Sequence, residues 1–200
     1  SMDIEPQLAT SWSVSEDGLT WTFKLRQGVT FHDGTPFNAE AVYHSFARII
    51  DEDHPYHEYG KWRYLSLSLG PVKEIKIIDE YSVALITDKP YAPLINNLAL
   101  WLCPIVSPAA MEKYGDQIGR NPVGTGPFTF EQWIKDDQII LKRNPDYWGE
   151  NAHVERIILK SIPEPSSRLM ALQSGTIDIA DDLDPDSISL VRQKDSLAVM

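Results

Sequence analysis

Hydrophobic and polar positions alternate most regularly between Thr20 and Arg26. Trp21, Phe23 and Leu25 are interleaved with Thr20, Thr22, Lys24 and Arg26, the period of a half-buried strand. Asp17-Gly18 supplies a turn before it, and Trp12–Val14 reads as the preceding strand. Asp33-Gly34 and Pro36 then break the chain. Asn38 is placed to cap a helix over Ala39–Ile50, with Val42, Phe46, Ile49 and Ile50 on one face. Residues 51–63 are polar and aromatic, interrupted by Pro55 and Gly60, and read as a loop holding at most a helical turn. Val72–Ile78 and Ser82–Thr87 form a second hairpin around Asp79-Glu80, and Tyr91–Leu98 is a short helix after Pro90. Leu102–Val106 reads as a compact apolar strand. Ser107-Pro108 then provides N-cap and first position for a helix to Tyr114, which Gly115 stops.

The run Asn121-Pro122-Val123-Gly124-Thr125-Gly126-Pro127-Phe128 is a connection, and the expected domain boundary falls there, between 3–122 and 123–200. Phe128–Ile134 and Gln138–Lys142 make a third hairpin around Lys135-Asp136-Asp137, followed by a turn at Asn144–Gly149. Val154–Ile162 reads as a strand. A helix from Pro165 runs to Gln173 or Ser174 and ends at Gly175; Ile177–Ile179 is a short strand, and Pro185–Val191 starts another helix. The fold class is therefore α/β, of the mixed α+β kind.

Charge narrows the picture. The net charge is −11, from 18 basic and 29 acidic residues, which argues against nucleic acid as a partner because phosphates need a basic face. Cys103 is the single cysteine, so no internal disulfide forms. No run approaches the ~20 apolar residues of a membrane span. The opening Ser1-Met2 reads as a cloning remnant ahead of a segment that starts mid-protein, without its signal segment.

Order along the chain carries more than composition. The run Trp12 to Val42, with Glu16-Asp17-Gly18, Trp21-Thr22-Phe23, Leu25-Arg26, Gly28-Val29, Phe31-His32-Asp33-Gly34-Thr35-Pro36-Phe37 and Ala39-Glu40-Ala41-Val42, resembles the signature of the family 5 extracellular solute-binding proteins. Val123-Gly124-Thr125-Gly126-Pro127-Phe128, Leu141-Lys142-Arg143-Asn144-Pro145-Asp146-Tyr147-Trp148-Gly149 and Gly175-Thr176-Ile177-Asp178-Ile179 resemble further words of that family, in the family's order. The resemblance implies part of lobe I of a two-lobed, periplasmic-binding-protein-like fold of the cluster C type, with its extra inserted subdomain. Residues 3–122 would be that subdomain, 123–200 part of the lobe's central sheet, and the second lobe absent. It implies capture of short peptides for an ABC permease, at a periplasmic or membrane-anchored extracytoplasmic location, without catalysis, cofactor or resident metal. The isolated chain is expected to self-associate through sheet surface left uncovered. A nickel- or metallophore-binding receptor of the same fold is the alternative. The absence of arginine from 101–107 disfavours it, since nickel-chelate relatives use arginine there.

Candidate chemistry has a plain reading beside each functional one. Tyr56, Tyr59 and Trp62 lie in a loop too polar to be core, and Trp101 opens the strand reading; they either pack loop against core or wall a ligand with amphipathic rings. His57 stands with His54 and Glu58, a set that suits a metal by residue type but not by spacing. His32 reads as structural, and His44 and His153 as isolated. Asp181 and Asp182 either belong to a solvated acidic turn or hold a ligand's cationic amine, while Asp184 before Pro185 fits a helix cap. Gly124-Thr125-Gly126 lacks P-loop spacing and reads as a chain reversal needing positive φ. A hydrolase using Asp181–Asp186 or Cys103 is the rival of another class, but neither has a visible base or partner.

Overall fold

The computed structural model describes residues 4–59, 68–100, 103–194 and 196–199. The chain divides into two compact units, residues 1–131 with 141–156, and residues 132–140 with 157–200.

In the first unit, β1 (Ala9–Val14), β2 (Thr20–Leu25), β3 (Val72–Asp79) and β4 (Ser82–Thr87) form an antiparallel sheet in the order β1-β2-β4-β3. Register follows the alternation read from the sequence: Trp21 lies opposite Leu85 and Phe23 opposite Val83. Trp21, Phe23, Leu25, Val83 and Leu85 are buried together with Val42, Phe46 and Ile49 of α1 (Ala39–Ile50). Each such side chain contributes roughly 1.5–3 kcal/mol by leaving water, so the sheet–helix contact dominates this unit. The helix starts where expected because the Asn38 side chain accepts the Ala41 N–H at 3.1 Å.

Two short helices follow, α2 (Leu94–Leu98) and α3 (Pro108–Tyr114). The predicted strand over Leu102–Val106 is absent among the described residues 103–106. Pro104 has no N–H to give a ladder, and the Val106 N–H goes to the Ser45 hydroxyl at 3.0 Å, so this segment is held by a side chain rather than by a neighbouring strand. Ser107 does cap α3, accepting the Ala110 N–H at 3.1 Å. Gly115 ends it at φ +52°.

Strands β5 (Phe128–Ile134), β6 (Gln138–Arg143) and β7 (Arg156–Lys160) form a three-stranded sheet in that order. The second unit carries α4 (Pro165–Gln173) and α5 (Pro185–Arg192), with Leu169 and Val191 buried. The predicted strand at Ile177–Ile179 does not form. The Thr176 and Ile177 N–H groups turn back to the Ala171 carbonyl at 2.9 and 3.4 Å, prolonging the end of α4 instead of pairing with another strand. Gly124 and Gly126 are also corrected: neither has positive φ. Their conservative backbone is imposed by hydrogen bonds, as described below. No helix among the described residues is long and apolar enough to cross a membrane.

Candidate functional site

The aromatic loop is anchored on α1. One turn of that helix presents His44 and the next presents Arg48. His44 Nδ1 lies 3.1 Å from His54 Nε2, and the Tyr56 N–H donates to His54 Nδ1 at 3.2 Å. His57 Nδ1 meets the Arg48 carbonyl at 2.9 Å. The loop thus returns to the helix through imidazoles at 54 and 57. His44, expected to be isolated, is a partner in this arrangement, because α1 delivers it to a loop ten residues further on.

Tyr56 stacks on Tyr59 with ring centroids 5.7 Å apart and planes inclined by 30°. Tyr56 also packs against the small cluster of Ala110, Met111 and Ile118. Burial, with Glu112 and Tyr59 nearby, pushes the Tyr56 phenol up, so its hydroxyl stays a neutral donor. Both tyrosines, and His57, remain partly exposed. Each therefore leaves part of its ring exposed while its other side holds the loop in place. Arg48 is buried, and burial lowers its guanidinium to about 10. Trp62 and Trp101 lie outside the described residues.

Asp181 and Asp182 belong to the second unit and are exposed. Asp182 adopts φ +51°; its carbonyl accepts from Arg168 Nη2, and its carboxylate lies 3.6 Å from the same nitrogen. Arg168 Nη1 also donates to the carbonyls of Ile162 and Pro163 at 2.8 and 2.9 Å. Asp182 is thereby a member of a clamp that closes the loop before α5. Asp184 caps α5, accepting the Ser187 N–H at 2.7 Å and its hydroxyl at 2.9 Å. Cys103 is buried, and burial pushes its thiol up, against a smaller opposing hydrogen bond from Ser68. It is a poor nucleophile.

A concavity of about 360 Å³ in the first unit is walled by Leu8, Trp12, Phe37, Phe46, Ile95 and Leu98, among others. It gathers almost no polar side chains, Glu5 and Gln7 excepted, so it lacks the convergent groups that would orient a charged solute. The aromatic loop brings imidazole and phenol groups together on one segment, and is the better candidate.

Sequence reading missed a second polar centre. The His32 N–H donates to the Gly124 carbonyl at 2.9 Å, and His32 Nε2 meets the Gly126 carbonyl at 3.0 Å. Asn144 Nδ2 donates to that same carbonyl at 3.1 Å, and Trp148 Nε1 donates to the Thr125 carbonyl at 3.0 Å. The Arg26 guanidinium lies over the Trp148 ring, 4.6 Å from its centroid. Three of the distinctive sequence words therefore converge on one backbone segment and rigidify it. The signal was present in the sequence as those words, but their meeting point was not.

Residues 3–199 match the family model described as bacterial extracellular solute-binding proteins, family 5, middle. The chain is similar to the di/tripeptide-binding protein 2 of Pseudomonas aeruginosa, with 34% identity over 100% of this chain and 40% of that protein. It is also similar to the heme-binding protein A of Haemophilus influenzae, with 34% identity over 97% of this chain and 38% of that protein. Among solved structures it resembles the periplasmic binding protein DppA from Helicobacter pylori in complex with the peptide STSA. The TM-score is 0.90 and the identity 34%, over 98% of this chain and 41% of that one. The chain spans about 40% of the length of these relatives.

Proposed function

The chain belongs to family 5 of the bacterial extracellular solute-binding proteins, and from that premise we propose that it is part of a receptor capturing short peptides outside the cytoplasm for an ABC permease. The observation that carries this reading is the similarity, across 98% of the chain, to a structure holding a bound peptide. The protein binds its solute reversibly and does no catalysis. That agrees with a buried Cys103 thiol pushed up by burial and with Asp184 committed to capping α5. Residues 3–122 are the inserted subdomain of lobe I, and 123–200 a part of its central sheet.

Tyr56, His57 and Tyr59 wall one side of the ligand, with the rings covering apolar side chains and the polar tips fixing the peptide's orientation. Asp181 and Asp182, in the second unit, are separate candidates for holding a cationic amine. Titration calorimetry of the full-length protein with di- and tripeptides, heme and nickel–histidine tests this. Micromolar or tighter peptide binding, weakened at least tenfold in a Tyr56→Ala, Tyr59→Ala double variant, is the expected result; saturation by heme or nickel–histidine alone overturns it.

The isolated chain carries only part of the cleft, so it binds peptides weakly. It also self-associates: Ile158 and Leu159, on opposite faces of the edge strand β7, are 54% and 53% exposed, and an uncovered edge strand is of the kind that pairs with a second copy. Light scattering showing a clean monomer at high concentration overturns that expectation.

A further inference from the structure

The histidine pair under the aromatic loop has a proton requirement that geometry alone defines. The Tyr56 backbone N–H is a donor and nothing else, so the His54 Nδ1 it contacts at 3.2 Å must be an acceptor. The proton of neutral His54 therefore sits on Nε2, and it donates across 3.1 Å to His44 Nδ1. Both hydrogen bonds exist only when both rings are neutral. A proton added at His54 Nδ1 opposes the Tyr56 N–H. A proton added at His44 Nδ1 opposes the His54 Nε2–H, and moving that hydrogen to Nδ1 only transfers the conflict to Tyr56.

The nitrogen separation of 3.1 Å also suits two ligands of one divalent metal. That alternative is disfavoured here. A metal on His54 Nε2 would force its hydrogen onto Nδ1, against the Tyr56 N–H. No group of three or more His, Cys, Asp or Glu side chains among the described residues is placed to hold a metal.

We propose that the His44–His54 pair is an acid-released latch, in which one added proton breaks either the Tyr56 N–H contact to His54 or the His54–His44 contact and so loosens residues 54–56, while His57 keeps its own contact with the Arg48 carbonyl. The groups facing His54 act together. Burial first, then His44, Arg48 and His57, hold its imidazole below the ordinary range; Asp51 opposes them. On the Tyr56 side, Glu112 of α3 approaches the phenol rather than the imidazole pair. The sign follows. His54 is more basic once the loop is released than while it is latched, so acidification favours release. The effect begins below the ordinary imidazole value and is complete once the pH passes the lowered value. Tyr56 and Tyr59 are stacked on each other, so release of His54 disturbs both rings. The consequence for solute binding, loss of the aromatic wall in acid, rests on the reading given under Proposed function; the latch itself does not.

Amide exchange of the 200-residue chain, converted to protection factors between pH 7 and pH 4.5, tests the latch without any ligand. The Tyr56 amide is expected to lose protection by up to about tenfold per pH unit below about 6.5, the limit for one proton. The Phe23 amide in the central sheet should stay protected over the same range. His54→Asn keeps a side-chain acceptor for the N–H two residues on but cannot titrate there, and should make Tyr56 protection independent of pH. Flat Tyr56 protection in the unmodified chain, parallel loss at Phe23, or an unchanged slope in His54→Asn each overturns the proposal. A second arm titrates the full-length protein with the dipeptide Met-Leu at pH 7 and pH 5. An opened Tyr56 amide with unchanged dipeptide affinity sinks the aromatic-wall reading and leaves the latch standing; the reverse pattern sinks the latch alone.

Discussion

Trp148 donates its indole N–H to the carbonyl of Thr125 across 3.0 Å, tying a turn after β6 to the glycine-rich connection that precedes β5. The same ring carries the Arg26 guanidinium on its face at 4.6 Å. Trp148→Phe keeps an aromatic body but removes the donor and weakens the cation–π contact. The expected loss is about 1–2 kcal/mol, the sum of one hydrogen bond and a partly exposed cation–π pair. Urea denaturation checks it, and an unchanged midpoint would show that the connection is held by His32 and Asn144 alone.

Ser107 performs two tasks with one hydroxyl. It accepts the Ala110 N–H at 3.1 Å as the cap of α3 and donates to Asp33 Oδ2 at 2.5 Å. Ser107→Ala is expected to cost about 1 kcal/mol through the cap alone. Burial raises the Asp33 carboxyl, but hydrogen bonds from Ser107 and Thr35 outweigh it and leave it below the usual carboxylate range. A lowered acid gives stability that is present above its unfolded value and lost as pH falls through the folded one. The stability gap between the parent chain and Ser107→Ala should therefore narrow in acid, below about pH 4. Thermal melts at pH 7 and pH 3 read this, and a gap that widens in acid contradicts it.

Two glycines that look alike in sequence should respond unequally. Gly115 sits at φ +52°, and a Cβ there would touch the Tyr59 ring at an ordinary 3.6 Å, so backbone strain rather than space opposes a side chain. Gly115→Ala is expected to destabilise by about 1–2 kcal/mol. Gly124 is not left-handed, and its nearest neighbour, His32 Cε1, stands 4.0 Å from a built Cβ. Gly124→Ala should stay within about 0.5 kcal/mol of the parent. Equal losses at both positions would contradict this account.

In the second unit, Arg168 rather than Asp182 is the member that matters for stability. Its guanidinium reaches the carbonyls of Ile162, Pro163 and Asp182 at once, while the Asp182 carboxylate is 96% exposed at 3.6 Å. Arg168→Lys loses the fork and should destabilise by about 1–3 kcal/mol, as hydrogen bonds to a charged group do. Asp182→Asn keeps its main-chain carbonyl and should leave the denaturant midpoint unmoved within error. A larger effect from Asp182→Asn would make the exposed ion pair the true anchor.

Elements whose signals are local were legible in the chain. The alternation of Trp21, Phe23 and Leu25 gave a strand with the observed register, because a period of two leaves one face to bury. Asn38, Ser107 and Asp184 marked helix starts, because a cap is a contact between residues three apart. The strands expected at Leu102–Val106 and Ile177–Ile179 failed for the complementary reason. A strand needs a partner, and in these places the N–H groups found a serine side chain or a helix end instead. Of the candidate site, the sequence pointed to Tyr56, His57 and Tyr59 by composition, but not to the imidazole of His44 beneath them.

Taken by itself, the order of residues determined the family and most helices and hairpins, since each follows from neighbours along the chain, and the single cysteine excluded a disulfide within these residues. Tertiary structure decided which distant groups share protons and hydrogen bonds: His44 with His54, Ser107 with Asp33, and Trp148 with Thr125. These pairings depend on where helix and sheet packing bring atoms to within about 3 Å of each other, a distance at which hydrogen bonding begins. No period or spacing in the sequence encodes that approach.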